Sequence, residues 1–168
     1  MLDSDRQVKD GLCERLPRLR RFARALTGNQ HDADDLVQTA VERALARASQ
    51  WRSDTRLDAW LYSIVRNAWI DEVRSRGRVR HLFAPDDAGA QVGESPIEAQ
   101  FIRMSVEAAM AKLPEEQRSA IALVLIEGLA YKEAAAVLEI PMGTLTSRLA
   151  RGREALQRML GDDAGVEA

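Results

Sequence analysis

Cysteine is nearly missing: Cys13 stands alone, which excludes an internal disulfide framework and any CxxC metal site. Histidine is as scarce. His31 and His81 lie far apart in the chain, so a protein zinc cage has no ligand set. No apolar run approaches the ~20 residues of a membrane span. The opening MLDSDRQVKD has neither the apolar stretch nor the cleavage site of a secretory leader. No phosphate-cradling glycine loop occurs, and Cys13 falls inside a periodic helix. These absences leave no catalytic constellation and no cofactor to expect. They predict a soluble protein of a reducing compartment, the cytoplasm, with no membrane insertion.

Lysine is also rare. Only Lys9, Lys112 and Lys132 occur, so the basic residues are nearly all arginine. Arginine suits phosphate and guanine recognition, although a GC-rich genome gives the same bias. The net charge of −2 by itself argues against a general nucleic-acid binder, yet its distribution is uneven. Residues 51–80 carry a net +3 and residues 81–100 a net −4. Within 141–160, Arg148, Arg151, Arg153 and Arg158 face Glu154 alone. Two basic patches are therefore separated by an acidic stretch.

What is abundant is apolar residues at helical spacing. The stripe Leu12, Leu16, Leu19, Phe22, Ala23, Leu26 predicts a helix ending near Gly28. From Asp34 a second stripe runs through Leu36, Val37, Ala40, Val41, Ala44, Leu45 and Ala48, with carboxylates at its positive end. Leu57 to Val73 marks a third, ending near Gly77. No segment alternates as a strand does. Residues 79–96 lose the period and gather Pro85, Gly89, Gly93 and Pro96 with acids, the composition of a linker. A structureless stretch of that length favours two domains over one. Beyond it, helices are expected over 97–113, 114–127, 131–138 and 141–160, with Gly128 as a stop and a frayed tail at 161–168.

The short helix at Tyr131–Leu138, the tight turn Glu139–Ile140–Pro141 and the basic helix after it make a helix-turn-helix order. Ala134, Ala135, Val137 and Leu138 can pack against Leu145 and Leu149, leaving Thr144, Ser147, Arg148 and Arg151 outward. An ordinary helical hairpin with a solvated arginine face is the competing reading. In the first half, Trp51, Trp60, Tyr62 and Trp69 interleave with arginines from Arg52 to Arg80. Rings beside guanidinium groups can hold unpaired bases, at ~1–3 kcal/mol per stacked base. A place in the core is the plainer role for each tryptophan taken singly. Trp69 lies off the main stripe, which predicts an exposed ring. Asn67 falls among exposed positions, where its amide could read a base edge. The carboxylates at Asp32–Asp35 read as helix-end stabilisation, or as a docking surface for a basic partner.

Together, ADDLVQTAVERALARASQW (33–51), RLDAWLYSIVRNAWIDEVRSR (56–76) and LPEEQRSAIALVLIEGLAYKEAAAVLEIPMGTLTSRLARGREAL (113–156) resemble the extracytoplasmic-function (ECF) sigma factors of bacterial RNA polymerase. The resemblance implies an all-α chain of two small helical domains. A sigma-2 bundle would span 1–78 and a sigma-4 helix-turn-helix domain 97–160, joined by a flexible acidic linker at 79–96. It implies promoter-specific initiation with core RNA polymerase, through the beta-prime clamp and the beta flap, on promoter DNA. Control by an anti-sigma factor follows from the same likeness. Asp34, Asp35, Leu36, Val37, Gln38 and Val41 match the clamp-docking segment. Trp51, Arg52, Ser53, Asp54, Thr55 and Arg56 match the loop that captures a flipped minus-ten base. Trp60, Arg66, Asn67 and Asp71 match the helix that helps to melt and read that element. Ser147, Arg148, Ala150 and Arg151, with Thr144 beside them, match the reader of the minus-thirty-five element. Two departures stand out. Thr146 occupies a position where the family often has Arg or Lys, which leaves the upstream preference open. Gly152 replaces a common Ala, at a helix cost of up to about 1 kcal/mol. The linker's acids (Asp86, Asp87, Glu94 and Glu98) suit a segment that threads a basic polymerase channel. A sigma-like decoy for an anti-sigma factor and a simple helix-turn-helix regulator are the alternatives.

Overall fold

The computed structural model describes residues 2–82 and 106–164, and every regular element among them is helical. The linker acids Asp86, Asp87, Glu94 and Glu98 lie outside the described residues, as do 97–105 and the last four residues. No described helix is long and apolar enough to cross a membrane.

The front domain is three helices. Helix α1 (Leu2–Thr27) starts with Asp3 and Asp5 at its positive end and stops at Gly28, whose φ of +81° suits a residue without Cβ. It continues through Pro17, which lacks the N–H that Cys13 would otherwise receive. Both residues are exposed, so water can take up that carbonyl. Helix α2 (Gln30–Ala46) begins four residues before the expected Asp34. Its cap is Asn29, whose side-chain oxygen accepts from the Asp32 N–H at 2.8 Å while its amide donates to the Asp32 carboxylate at 2.8 Å. A single turn, Ala48–Gln50, leads into the loop before α3 (Leu57–Leu82). That helix runs past Gly77 and past the expected boundary at residue 78. Glycine in a helix costs only about 1 kcal/mol and does not by itself end one. Val8, Phe22, Leu26, Leu61 and Val65 are the fully buried centre of this bundle.

The rear domain opens with α4 (residues 106–112). Helix α5 (Glu115–Ile121) is capped by Pro114 and widens into a π-helical turn, Ala122–Ile126. Gly128 ends it with φ +73°. Helix α6 (Tyr131–Leu138) has the expected bounds, and Glu139 reverses the chain in the left-handed region at φ 56°. Helix α7 (Met142–Ala164) extends past the expected end at Leu160, so the tail is helical to Ala164. Ala134, Ala135, Val137, Leu138, Leu145 and Leu149 are all buried, as the helix-turn-helix pattern requires.

The two domains do not stand apart. Their buried side chains join in one continuous apolar cluster, and α3 packs on α6 while α1 packs on α5.

Gly152 has a role that the propensity argument misses. A Cβ built there would fall 2.5 Å from Cδ1 and 3.1 Å from Cγ1 of Ile121, which is itself buried. The glycine lets α7 cross close over α5. Gly152→Val should therefore destabilise by about 1–3 kcal/mol, because overpacking a tight core forces strained rotamers or backbone shifts. A thermal melt unchanged from wild type would refute this reading of the crossing.

Candidate nucleic-acid interface

Helix α7 displays its first turns on the surface. Ser147, Ala150 and Arg151 are exposed, as is Thr146. Thr144 and Arg148 are half-buried. The inward partners are Leu145 and Leu149, on which α6 sits. Arg148 reaches Glu116 at 3.7 Å, a loose pair that leaves its guanidinium partly free. The Thr146 hydroxyl donates to the Met142 carbonyl of its own helix at 2.9 Å. Its proton is thus occupied, and what it turns outward is a methyl and an acceptor. No carboxylate among the described residues pairs with Arg151. Arg151 and Ser147 are the freest donors on this face.

The front domain offers a loop and a helix. Arg52, Ser53, Asp54, Thr55 and Arg56 are all exposed. The loop is tied by Thr55, whose hydroxyl and N–H both donate to the Arg52 carbonyl, at 2.7 and 2.9 Å. Trp51 lies under the loop, buried, with an indole N–H that has no partner among the described residues. On α3, Asn67 is exposed as expected, Trp60 and Arg66 are half-buried, and Asp71 is held by Arg43 at 2.8 Å.

Trp69 departs from expectation. The ring is buried, its N–H donates to Glu115 of α5 at 2.9 Å, and Arg76 stacks over it at 5.9 Å. Periodicity within α3 could not reveal this, because Glu115 belongs to the other domain.

The acidic face of α2 is divided. Asp34, Asp35 and Gln38 are exposed and Val41 is half-buried, whereas Leu36 and Val37 are buried in the bundle. Behind this face a groove of about 350 Å³ runs between α2 and α3, lined among others by Asp35, Trp69, Asp71 and Arg76. Arg76 binds Asp32 at 3.0 Å, and this pair, with Asn29, holds the Asp32 carboxyl below its ordinary range.

Sequence reasoning missed one group altogether. Arg21 donates twice to Glu127, at 2.9 and 2.8 Å, and the Tyr62 hydroxyl donates to the same carboxylate at 2.9 Å. The Glu127 side chain is fully shielded from solvent. Arg56 donates to Glu133 of α6 at 2.8 Å, which pushes the guanidinium pKa up. Burial, helped by Glu127, pushes the Tyr62 phenol up as well. None of these partners is near the other in the chain, so no local signal marks them.

Comparison with known proteins fits this geometry. Residues 12–66 match the family model described as the sigma2 domain of PhyR, and residues 103–156 match sigma-70 region 4. The chain is 36% identical over 163 residues to the ECF RNA polymerase sigma factor EcfG of Rhodopseudomonas palustris, covering 95% of this chain and 88% of that one. It is 38% identical to ECF sigma factor SigE of Mycolicibacterium smegmatis over 90% of its own length, and spans 60% of that relative. Among solved structures, sigma factor RpoE of Bartonella quintana, in complex with the anti-sigma factor NepR, superposes with a TM-score of 0.77 at 32% identity, covering 91% of this chain and 96% of that one.

Proposed function

The chain belongs to the ECF RNA polymerase sigma factors, and from that membership we propose how its surfaces divide the work of promoter-specific initiation. The family consists of initiation factors, not enzymes, and this chain acts with RNA polymerase in the cytoplasm under anti-sigma control. The exposed Asp34, Asp35 and Gln38, with Val41, dock on the beta-prime clamp. Leu36 and Val37 fix that face from within by their burial in the bundle. The rear domain meets the beta flap. The loop from Trp51 to Arg56 takes a flipped minus-ten base, and Trp60, Arg66, Asn67 and Asp71 line its approach. Strand opening is then driven by binding, because everted bases gain stacking and hydrogen bonds that the duplex would otherwise hold.

The upstream element is read by α7. Thr144, Thr146, Ser147, Arg148, Ala150 and Arg151 form the contact surface. The observation that carries this reading is that Ser147, Ala150 and Arg151 are exposed while Leu145 and Leu149 are buried. That division points the N-terminal turns of α7 at a major groove, where an arginine can grip guanine with two hydrogen bonds. Thr146, with its hydroxyl turned back on the helix, offers a methyl suited to the methyl of thymine.

Arg151→Ala tests the assignment in the assembled holoenzyme. Affinity for a promoter carrying the upstream element should fall about 5- to 150-fold, or ~1–3 kcal/mol, with binding to core polymerase unchanged. An equal loss of core binding, or undiminished promoter affinity, would move upstream recognition away from this face.

A further inference from the structure

Two rows of residues cover the exposed face at the start of α7. Met142, Thr146 and Ala150 follow one another at four-residue spacing, and all three are exposed. Gly143, Ser147 and Arg151 run beside them at the same spacing and are exposed as well. Residues four apart are neighbours on a helix surface, about 6 Å apart along the axis. Leu145 and Leu149 occupy the opposite, buried side.

The rows differ in chemistry. Ser147 and Arg151 bring a hydroxyl and a guanidinium, both donors. The other row brings none. Methionine and alanine side chains carry no donor, and the Thr146 hydroxyl proton is given to the Met142 carbonyl at 2.9 Å. Glu154, exposed one turn beyond Ala150, ends this row with a charge that repels phosphate. A row without donors cannot bond the N7, O6 and O4 acceptors that line a major groove. It can meet the one apolar group displayed there, the methyl on C5 of thymine. Cytosine methylated at C5 carries the same methyl on the same carbon.

We propose that the row Met142, Thr146 and Ala150 reads the C5-methyl groups of pyrimidines in the upstream element, so that it recognises 5-methylcytosine as it recognises thymine. This deepens the upstream reading given above and rests on it. Ser147 and Arg151 supply the hydrogen-bonded contacts from the parallel row. A promoter with cytosine where the methyl-reading row lands gains affinity when that cytosine is methylated. The modification then raises initiation with no change in the protein.

Holoenzyme assembled from core polymerase and the full chain tests this on duplex promoter DNA from the genome that encodes it. Each upstream thymine is replaced in turn by uracil, which removes only the methyl. The same positions are then compared as cytosine and as 5-methylcytosine. At one or more positions thymine should bind about 4-fold more tightly than uracil, the worth of one buried methyl, and 5-methylcytosine should exceed cytosine by the same factor. Thr146→Ser removes the side-chain methyl and keeps the hydroxyl, whereas Thr146→Val keeps a methyl and discards the hydroxyl. The serine variant should lose the preference at a uracil-sensitive position, and the valine variant should retain it there. The proposal is overturned by an element with no uracil-sensitive position, or by 5-methylcytosine that binds like cytosine at such a position. It is equally overturned by a preference unchanged at every position in Thr146→Ser, or lost in Thr146→Val. Scrambling the whole upstream element tests the underlying reading separately. Affinity indifferent to scrambling contradicts that reading, whereas scramble-sensitive binding that ignores uracil contradicts only the methyl-reading row.

Discussion

Leu145→Ala should destabilise the chain by about 2–5 kcal/mol, the range for deleting most of a buried leucine. Leu145 is fully buried where α7 crosses α6, and Ala134, Ala135, Val137 and Leu138 make up the facing surface of the short helix. Small residues on α6 cannot move in to fill the gap, because α6 is only eight residues long and is fixed at both ends by the Gly128 and Glu139 turns. The substitution therefore leaves a cavity beneath the turn that presents Thr144, Ser147 and Arg148. For a chain of this size the loss corresponds to a melting temperature lower by roughly 5–15 °C. Upstream-element dependence should vanish with it. A thermal melt shifted by less than about 2 °C would show that this crossing is not the one that fixes α7.

Phe22→Ala is expected to cost more, about 3–5 kcal/mol. The ring is completely buried in the front bundle and meets Tyr62 edge to face, with centroids 5.2 Å apart and planes at 80°. Tyr62 in turn carries the hydroxyl that reaches Glu127. Removing Phe22 thus takes away core volume and also the wall that orients a donor between the domains. Phe22→Leu should recover more than half of the lost stability in urea denaturation, since it refills most of the space. If Phe22→Ala melted like wild type, the bundle would not be organised around this pair.

Much of this architecture could be read from the residues themselves. Helix α6 has the bounds that its flanking glycine and turn residues predict, and the alanine–leucine stripe across the turn is buried throughout. These signals are local: a stop residue, a period and a cap. The exposed loop Arg52–Arg56 and Asn67 also lie where composition suggested. The failures share a different cause. Leu45 fits the α2 stripe yet is 42% exposed, to one side of the buried line Ala33, Leu36, Val37, Ala40 and Ala44. Trp69 seemed off-face and is buried, since Glu115 of α5 and Arg76 of its own helix cover it. Gly152 seemed a liability and is instead a point where α7 and α5 come close. Glu115, Glu127 and Glu133 carried no signal in the sequence at all. Their partners are 46 to 106 residues away in the chain. Periodicity reports which face is apolar, but it carries no information about which distant element will cover it.

The separateness of the domains is the expectation most altered. Composition at 79–96 predicts two units, and two units are present, but they share a buried surface in the free chain. Ser147, Ala150 and Arg151 of α7 and the loop at 52–56 nonetheless remain on the outside.

The most direct measurement is run-off transcription with sigma-free core polymerase, the purified chain, and promoter DNA from the genome that encodes it. Specific initiation should require the chain, and altering either the upstream or the downstream element should abolish it. A folded chain that binds core polymerase yet yields no transcript above core alone would contradict the assignment and favour a decoy, whereas one that binds promoter DNA and ignores core would favour a simple regulator.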